Sequence, residues 1–192
     1  MTSKEFYDEI IRITEQNLKA VSEQVISLTE HQKNWRKDSE SWSINEIFSH
    51  LNEYASYYHD AIRKRIEKTR FREPKETFIS SPLGRSAWKS MRLGNARNIK
   101  RKFKSPKGAN PRLHPELVSE TAGENFLSRQ NELLKIIQDS RSINIRKAKV
   151  AVSLSKFIRL RIGDAFLFVI YHNERHVQQI LNIIAHPKFP NS

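Results

Sequence analysis

Apolar residues recur at intervals of three and four along most of this chain, and four stretches are regular enough to predict amphipathic helices. The first covers residues 3–28, with Phe6, Ile10, Ile13, Val21, Val25 and Leu28 on one side. The second runs over residues 44–66 with the stripe Ile44, Ile47, Leu51, Tyr54, Tyr58 and Ile62. Its start is the clearest in the sequence. Ser43-Ile44-Asn45-Glu46 fits a reciprocal capping box, and Trp42 and Ile47 occupy the positions of a hydrophobic staple. The third begins near Thr121-Ala122-Gly123-Glu124, a second Thr-x-x-Glu pattern, and ends near Ser140. Its buried side is Phe126, Leu127, Leu133, Leu134, Ile136 and Ile137. The fourth spans residues 164–185 with neither proline nor glycine inside and Pro187 beyond its end. Gly163 and Asp164 supply its opening turn and a carboxylate for its first amides.

Between the helices lie three connections. Residues 29–42 are polar apart from Trp35 and Trp42, which read as core anchors. In residues 147–161, Val150, Val152 and Leu154 alternate as a strand would, yet no partner strand is evident, so an extended loop with one turn is expected. Residues 77–115 carry prolines and glycines at short intervals and predict a long connection with short helical pieces. Four amphipathic helices then predict an all-α fold, a four-helix bundle, as one domain over residues 1–192 with an insertion between its second and third helices.

The apolar stripe of the fourth helix is interrupted by chemistry. His172 and His176 are four apart and stack on one face with Ala165, Phe168, Val169, Gln179, Ile180 and Ile183. Burying two imidazoles in such a stripe is costly unless their nitrogens are satisfied, and a metal ion does that. His50 borders the stripe of the second helix and faces inward, whereas His59, nine residues on, falls half a turn away and is expected in solvent. His31, His114 and His186 belong in or beside connections. Three neutral imidazoles from facing helices, with a fourth position open, match a catalytic zinc-type site and not a closed structural one. Imidazole suits zinc, nickel, iron or copper, so the metal is left open. Glu46 and Glu53 lie on the His50 side; each reads either as a group orienting the ligands or as a cap partner and a surface charge.

Composition narrows the chemistry. The chain has no cysteine, which excludes disulfides, thiolate ligands and a cysteine nucleophile, so any thiol comes from outside. Its longest wholly apolar run, residues 165–171, is too short to cross a bilayer, and a charged N-terminal stretch argues against a signal peptide; a cytoplasmic protein is expected. The net charge of +13 is concentrated in residues 77–115, which hold ten basic residues and no acidic one. Of 34 basic residues these ten removed leave 24 against 21 acidic, so the rest of the chain is nearly balanced. The insertion reads as a solvated loop, as an anion-attracting rim over a site, or as a nucleic-acid surface with Trp88 and Phe103 for stacking.

These motifs carry a resemblance. Ser41-Trp42-Ser43-Ile44-Asn45-Glu46-Ile47-Phe48-Ser49-His50-Leu51 resembles a signature of the DinB/YfiT-like family. The stretch from Gly163-Asp164 through His172-x-x-x-His176-x-x-Gln179-Ile180 is similar to that family's last helix. The resemblance implies an up-down-down-up four-helix bundle, often dimeric, with a divalent metal on His50, His172 and His176. It also implies transferases or isomerases that use a low-molecular-weight thiol, or hydrolases. Three readings follow in order: a metal-dependent enzyme acting on a small, anionic or polar electrophile, a bundle whose histidines are merely hydrogen-bonded, and a nucleic-acid or polyanion binder.

Overall fold

The computed structural model describes residues 1–96, 98–99, 105–153 and 155–191, with the Lys156 side chain left aside. Arg97, Lys100, Arg101, Lys102, Phe103 and Lys104, which carry much of the insertion's predicted charge, lie outside the described residues, as does Leu154. Among the described residues the α-helices are α1 (Ser3–Gln24), α2 (Glu30–Asn34), α3 (Ile44–Lys68), α4 (Pro82–Met91), α5 (Ala122–Asp139) and α6 (Ile162–Ile184), and two strands, β1 (Lys149–Val152) and β2 (Ser155–Arg161), lie between α5 and α6. The protein is mainly helical, as expected. α1 and α3 each pack against both α5 and α6, so the four long helices surround a common interior.

Local chemistry sets where these helices start. Ser43 and Glu46 form the expected capping box on α3: the Ser43 amide donates to Glu46 Oε2 at 2.7 Å and Glu46 N donates to Ser43 Oγ at 3.3 Å. Thr2 with Glu5 and Thr29 with Gln32 cap α1 and α2 in the same way. The box expected at Thr121 does not form. Thr121 has ψ 14°, not the extended backbone of the other caps, and its hydroxyl engages Ser119 and Asn125 instead of the helix amides.

Two connections differ from expectation. β1 and β2 pair antiparallel, Val150 opposite Leu160, with a bulge after Ala151. The partner strand that seemed missing is simply the next segment. Both Val150 and Leu160 are buried, and the strand pair packs on α3 and α6. Within the insertion, α4 docks along α6. Asp164, expected to cap its own helix, turns its carboxylate to the start of α4: Oδ2 accepts from Ser81 N at 3.1 Å and Ser81 Oγ at 2.7 Å. Ser81 Oγ in turn accepts from Gly84 N at 3.0 Å.

Gly84 permits that junction, because a β-carbon there would overlap the buried Asp164 carboxylate. Gly84→Ala should therefore cost about 1–3 kcal/mol, the range for overpacking a close contact. A lowered urea midpoint would show it. Gly108→Ala, with nothing near its added carbon, should leave the midpoint almost unchanged.

The buried apolar residues fall into two clusters, and the boundary between them positions the histidines. One cluster includes Tyr54 and Tyr58 of α3 and extends to Tyr171 of α6. The other takes α3 up to Leu51 and α6 from Val177. His50, His172 and His176 lie at this break on both helices. Asn173 and Gln130 share the same level, joined by a buried hydrogen bond of 3.2 Å. The bundle thus carries a polar layer between two apolar ones.

His59 departs from its expected place in solvent. It is 1% exposed, and its Nδ1 lies 2.8 Å from Glu132 Oε2 on α5. The reason is that α3 is covered on two sides, by α6 beside His50 and by α5 half a turn away.

Candidate metal centre

His50 of α3 and His172 and His176 of α6 converge, with one ligand atom from each within 4.8 Å of the others. They are the group among the described residues that can hold a metal ion. His50 and His172 are buried and His176 is partly so. His50 Nε2 and His172 Nε2 lie 3.2 Å apart. Two imidazole nitrogens on a tetrahedral ion at zinc–nitrogen distances of about 2.0–2.1 Å stand about 3.3 Å apart, so the spacing fits.

Hydrogen bonds fix the tautomers. His50 Nδ1 is 2.6 Å from the Ala109 carbonyl oxygen, which can only accept, so Nδ1 carries the proton and Nε2 the lone pair. His176 Nδ1 likewise donates to Gln179 Oε1 at 3.0 Å, freeing its Nε2. An imidazole whose Nδ1–H is tied to a carbonyl and whose Nε2 is free is the form that binds metals. Between the facing nitrogens of His50 and His172 there is room for either a proton or a cation. His172 Nδ1 is buried without a hydrogen-bond partner among the described residues.

Burial keeps all three rings neutral. It pushes His50 down to about 4 and His176 down to about 3. His172 is driven well below the ordinary histidine range, first by burial and then by its two neighbours. At neutral pH the site therefore offers lone pairs, not charges.

Aromatic rings close round the cluster. Trp42 lies 5.0 Å from His50 and stacks on His176 at 6.3 Å. Tyr54 is 4.5 Å from His172, and Phe168 lies parallel to it at 6.1 Å. Burial raises Tyr54 to about 12, so it stays protonated. Trp42, read from the sequence as a core anchor, is a wall of the site. Its position one residue before the Ser43 cap was the available signal, since a helix start aims that residue back over the first turns.

Other candidates go elsewhere. Glu46 does not orient the ligands; it holds Ser43 and makes a two-bond contact with Arg36, Nε–Oε2 2.8 Å and Nη2–Oε1 2.9 Å. Glu53 is exposed. His31 and His186 stay outside the cluster, and His114 pairs with Glu116 at 3.0 Å. Trp88 donates to Ser80 Oγ at 3.0 Å and packs, half-buried, against the core beside Tyr171. The insertion does reach the site, through Ser105 and Ala109. A cavity of about 420 Å³ lies beside the start of α3, lined by Arg36, Glu46, Pro111, Arg112, Pro115 and Val118 and by none of the three histidines. No helix among the described residues is long and apolar enough to cross a membrane.

Three histidines gathered from two facing helices form a group that could hold a metal ion inside a helical protein. The chain belongs to the DinB superfamily, whose family model matches residues 13–180 and so includes all three histidines. No curated protein and no solved structure was found to match it.

Proposed function

We propose that this protein is a divalent-metal enzyme, a thiol-dependent transferase or a hydrolase, acting on a small electrophile of polar or anionic character. One observation carries the reading: three neutral imidazoles, two buried and one half-buried, converge on a common point, and two of them have their proton held on the far nitrogen. Three protein ligands leave a coordination position for a reactant. A divalent metal held there acts as a Lewis acid and lowers the pKa of a water or thiol, giving a nucleophile near neutral pH.

The chain's own residues supply the rest. His50, His172 and His176 hold the metal, which donor chemistry leaves as zinc, nickel or iron. The Ala109 carbonyl and Gln179 orient two of the rings, and Trp42, Tyr54 and Phe168 keep bulk water from them. Lys107 and Arg112 of the insertion favour anionic reactants through their field. With no cysteine in the chain, a thiol nucleophile is a second small molecule and not a side chain.

A second reading, a bundle with no catalysis, has one observation in its favour, since His172 can donate a proton to His50 across 3.2 Å without any metal. Metal-loaded protein assayed against activated esters and alkyl electrophiles, with water alone and with several small thiols, separates the two. His50→Ala should abolish turnover while leaving the helical circular dichroism nearly intact. Turnover that survives this change overturns the three-histidine site as the catalyst, and turnover absent with every nucleophile favours the inert bundle.

A further inference from the structure

The bond from His50 to Ala109 joins residues 59 positions apart and links the metal cluster to the basic insertion. The acceptor belongs to a built feature. Lys107–Ala109 is a single 3-10 turn in which Ala109 N donates to Pro106 O at 3.0 Å and Asn110 N to Lys107 O at 3.2 Å. Ser105 Oγ donates to the same Ala109 carbonyl at 3.0 Å, so two donors hold that oxygen in place. Just beyond, Pro111 is buried and the Arg112 guanidinium donates to the Ser39 carbonyl, which ties the segment to the connection before α3. At both contacts the insertion fastens onto the part of the chain that presents His50. By contrast, the partner of His176, Gln179, comes from α6 itself and needs nothing from the insertion.

We infer that the Ala109 carbonyl is a positioning group of the metal centre, so that metal affinity and the order of the turn at residues 105–112 depend on each other. The inference rests on the metal-site reading given above. A donor–acceptor bond on the far nitrogen of a ligating histidine typically alters metal affinity by about 10–100-fold. Coupling between two binding events is reciprocal, so whatever factor the turn adds to metal affinity, the metal adds to the stability of the turn. The insertion then belongs to the metal centre and is not merely charge beside it.

The test uses the full chain, zinc as the probe, and two variants. Ala109→Pro removes the N–H that closes the turn, so the turn no longer presents the carbonyl to His50; Ser105→Ala removes one of the oxygen's two donors. Zinc affinity, measured by competition with a chromogenic chelator, should fall about 10–100-fold in Ala109→Pro and less in Ser105→Ala, with helical content unchanged. In metal-free wild type, nitrogen-15 spectra of the imidazoles should show the His50 proton on Nδ1, and this preference should be lost in Ala109→Pro. Zinc should slow amide exchange at Ala109 and Asn110 in wild type. In Gln179→Ala, which acts only within α6, zinc added to saturation should still slow it. Unchanged zinc affinity in Ala109→Pro, or a His50 proton on Nε2 in the metal-free wild type, overturns the coupling alone. A wild-type protein that binds no zinc overturns the metal reading and the coupling with it.

Discussion

Zinc added to the metal-free protein is expected to raise its thermal midpoint by roughly 10 °C, and the rise should vanish in His172→Ala. A ligand that binds only the folded state stabilises it in proportion to the logarithm of its concentration over its dissociation constant, about 4 kcal/mol at a thousandfold excess. For a chain of this size each kcal/mol moves the midpoint by about 2–4 °C. His172 is the ring to remove because it lies 3.2 Å from His50 and one helical turn from His176, so its loss leaves two rings from different helices. Differential scanning calorimetry with and without zinc, together with metal analysis of both proteins, decides it. Full occupancy retained in His172→Ala would sink the three-histidine site.

The second large effect is acid lability of the metal-free protein. An unfolded histidine titrates near 6.5, whereas folding lowers His50 to about 4 and His176 to about 3, and His172 further still. Below 6.5 the unfolded chain binds protons that the native state refuses, so the stability these groups contribute is fully present above that pH and is lost as pH falls toward 4. Each refused proton is worth about 1.4 kcal/mol per pH unit. Three together approach roughly 4 kcal/mol per unit, against a total of about 5–15 kcal/mol for a typical protein. His59, lowered chiefly by burial, adds to the loss in the same direction. Glu132 extends it to lower pH, since His59 and Arg129 hold its carboxylate down to about 2 despite partial burial. Urea midpoints taken from pH 7.5 to 4.5 should fall steeply, and His176→Gln should flatten the slope. A midpoint that stays level between pH 7 and 5 would show that the rings are not buried neutral.

The parts of this protein that could be read from residue order are those whose cause is local. The Ser43–Glu46 cap is a four-residue interaction, and the face shared by His172 and His176 follows from helical pitch alone. The inward placement of His50 needed only its offset from Ile47 and Tyr54. His59 failed because one apolar stripe tells of one neighbour, while α3 has two. The pairing of β1 with β2 failed because Ser155 to Ile158 carries no apolar alternation. Asp164 was placed on the right turn but given the wrong partner, since Ser81 lies 83 residues away. The Ala109 carbonyl could not be read at all. Every residue but proline carries the same main-chain groups, and only the path of the chain decides which one meets an imidazole.

Two of the three histidines sit one turn apart on the last helix, and the third lies 122 residues earlier than His172. This arrangement divides the centre into a local half and a distant half. A chain stopped after α5 holds one imidazole of the three, with nothing across from it. Helical pitch alone brings His172 and His176 into line within α6, whereas His50 meets them only through a long-range contact. Closing the centre requires α6 to pack on α3, and that packing also completes the apolar clusters on either side of the polar layer. A metal on the centre would therefore bridge one local pair of ligands to one distant ligand. Such a bridge ties the last helix to α3, so it would stabilise the packing of one on the other.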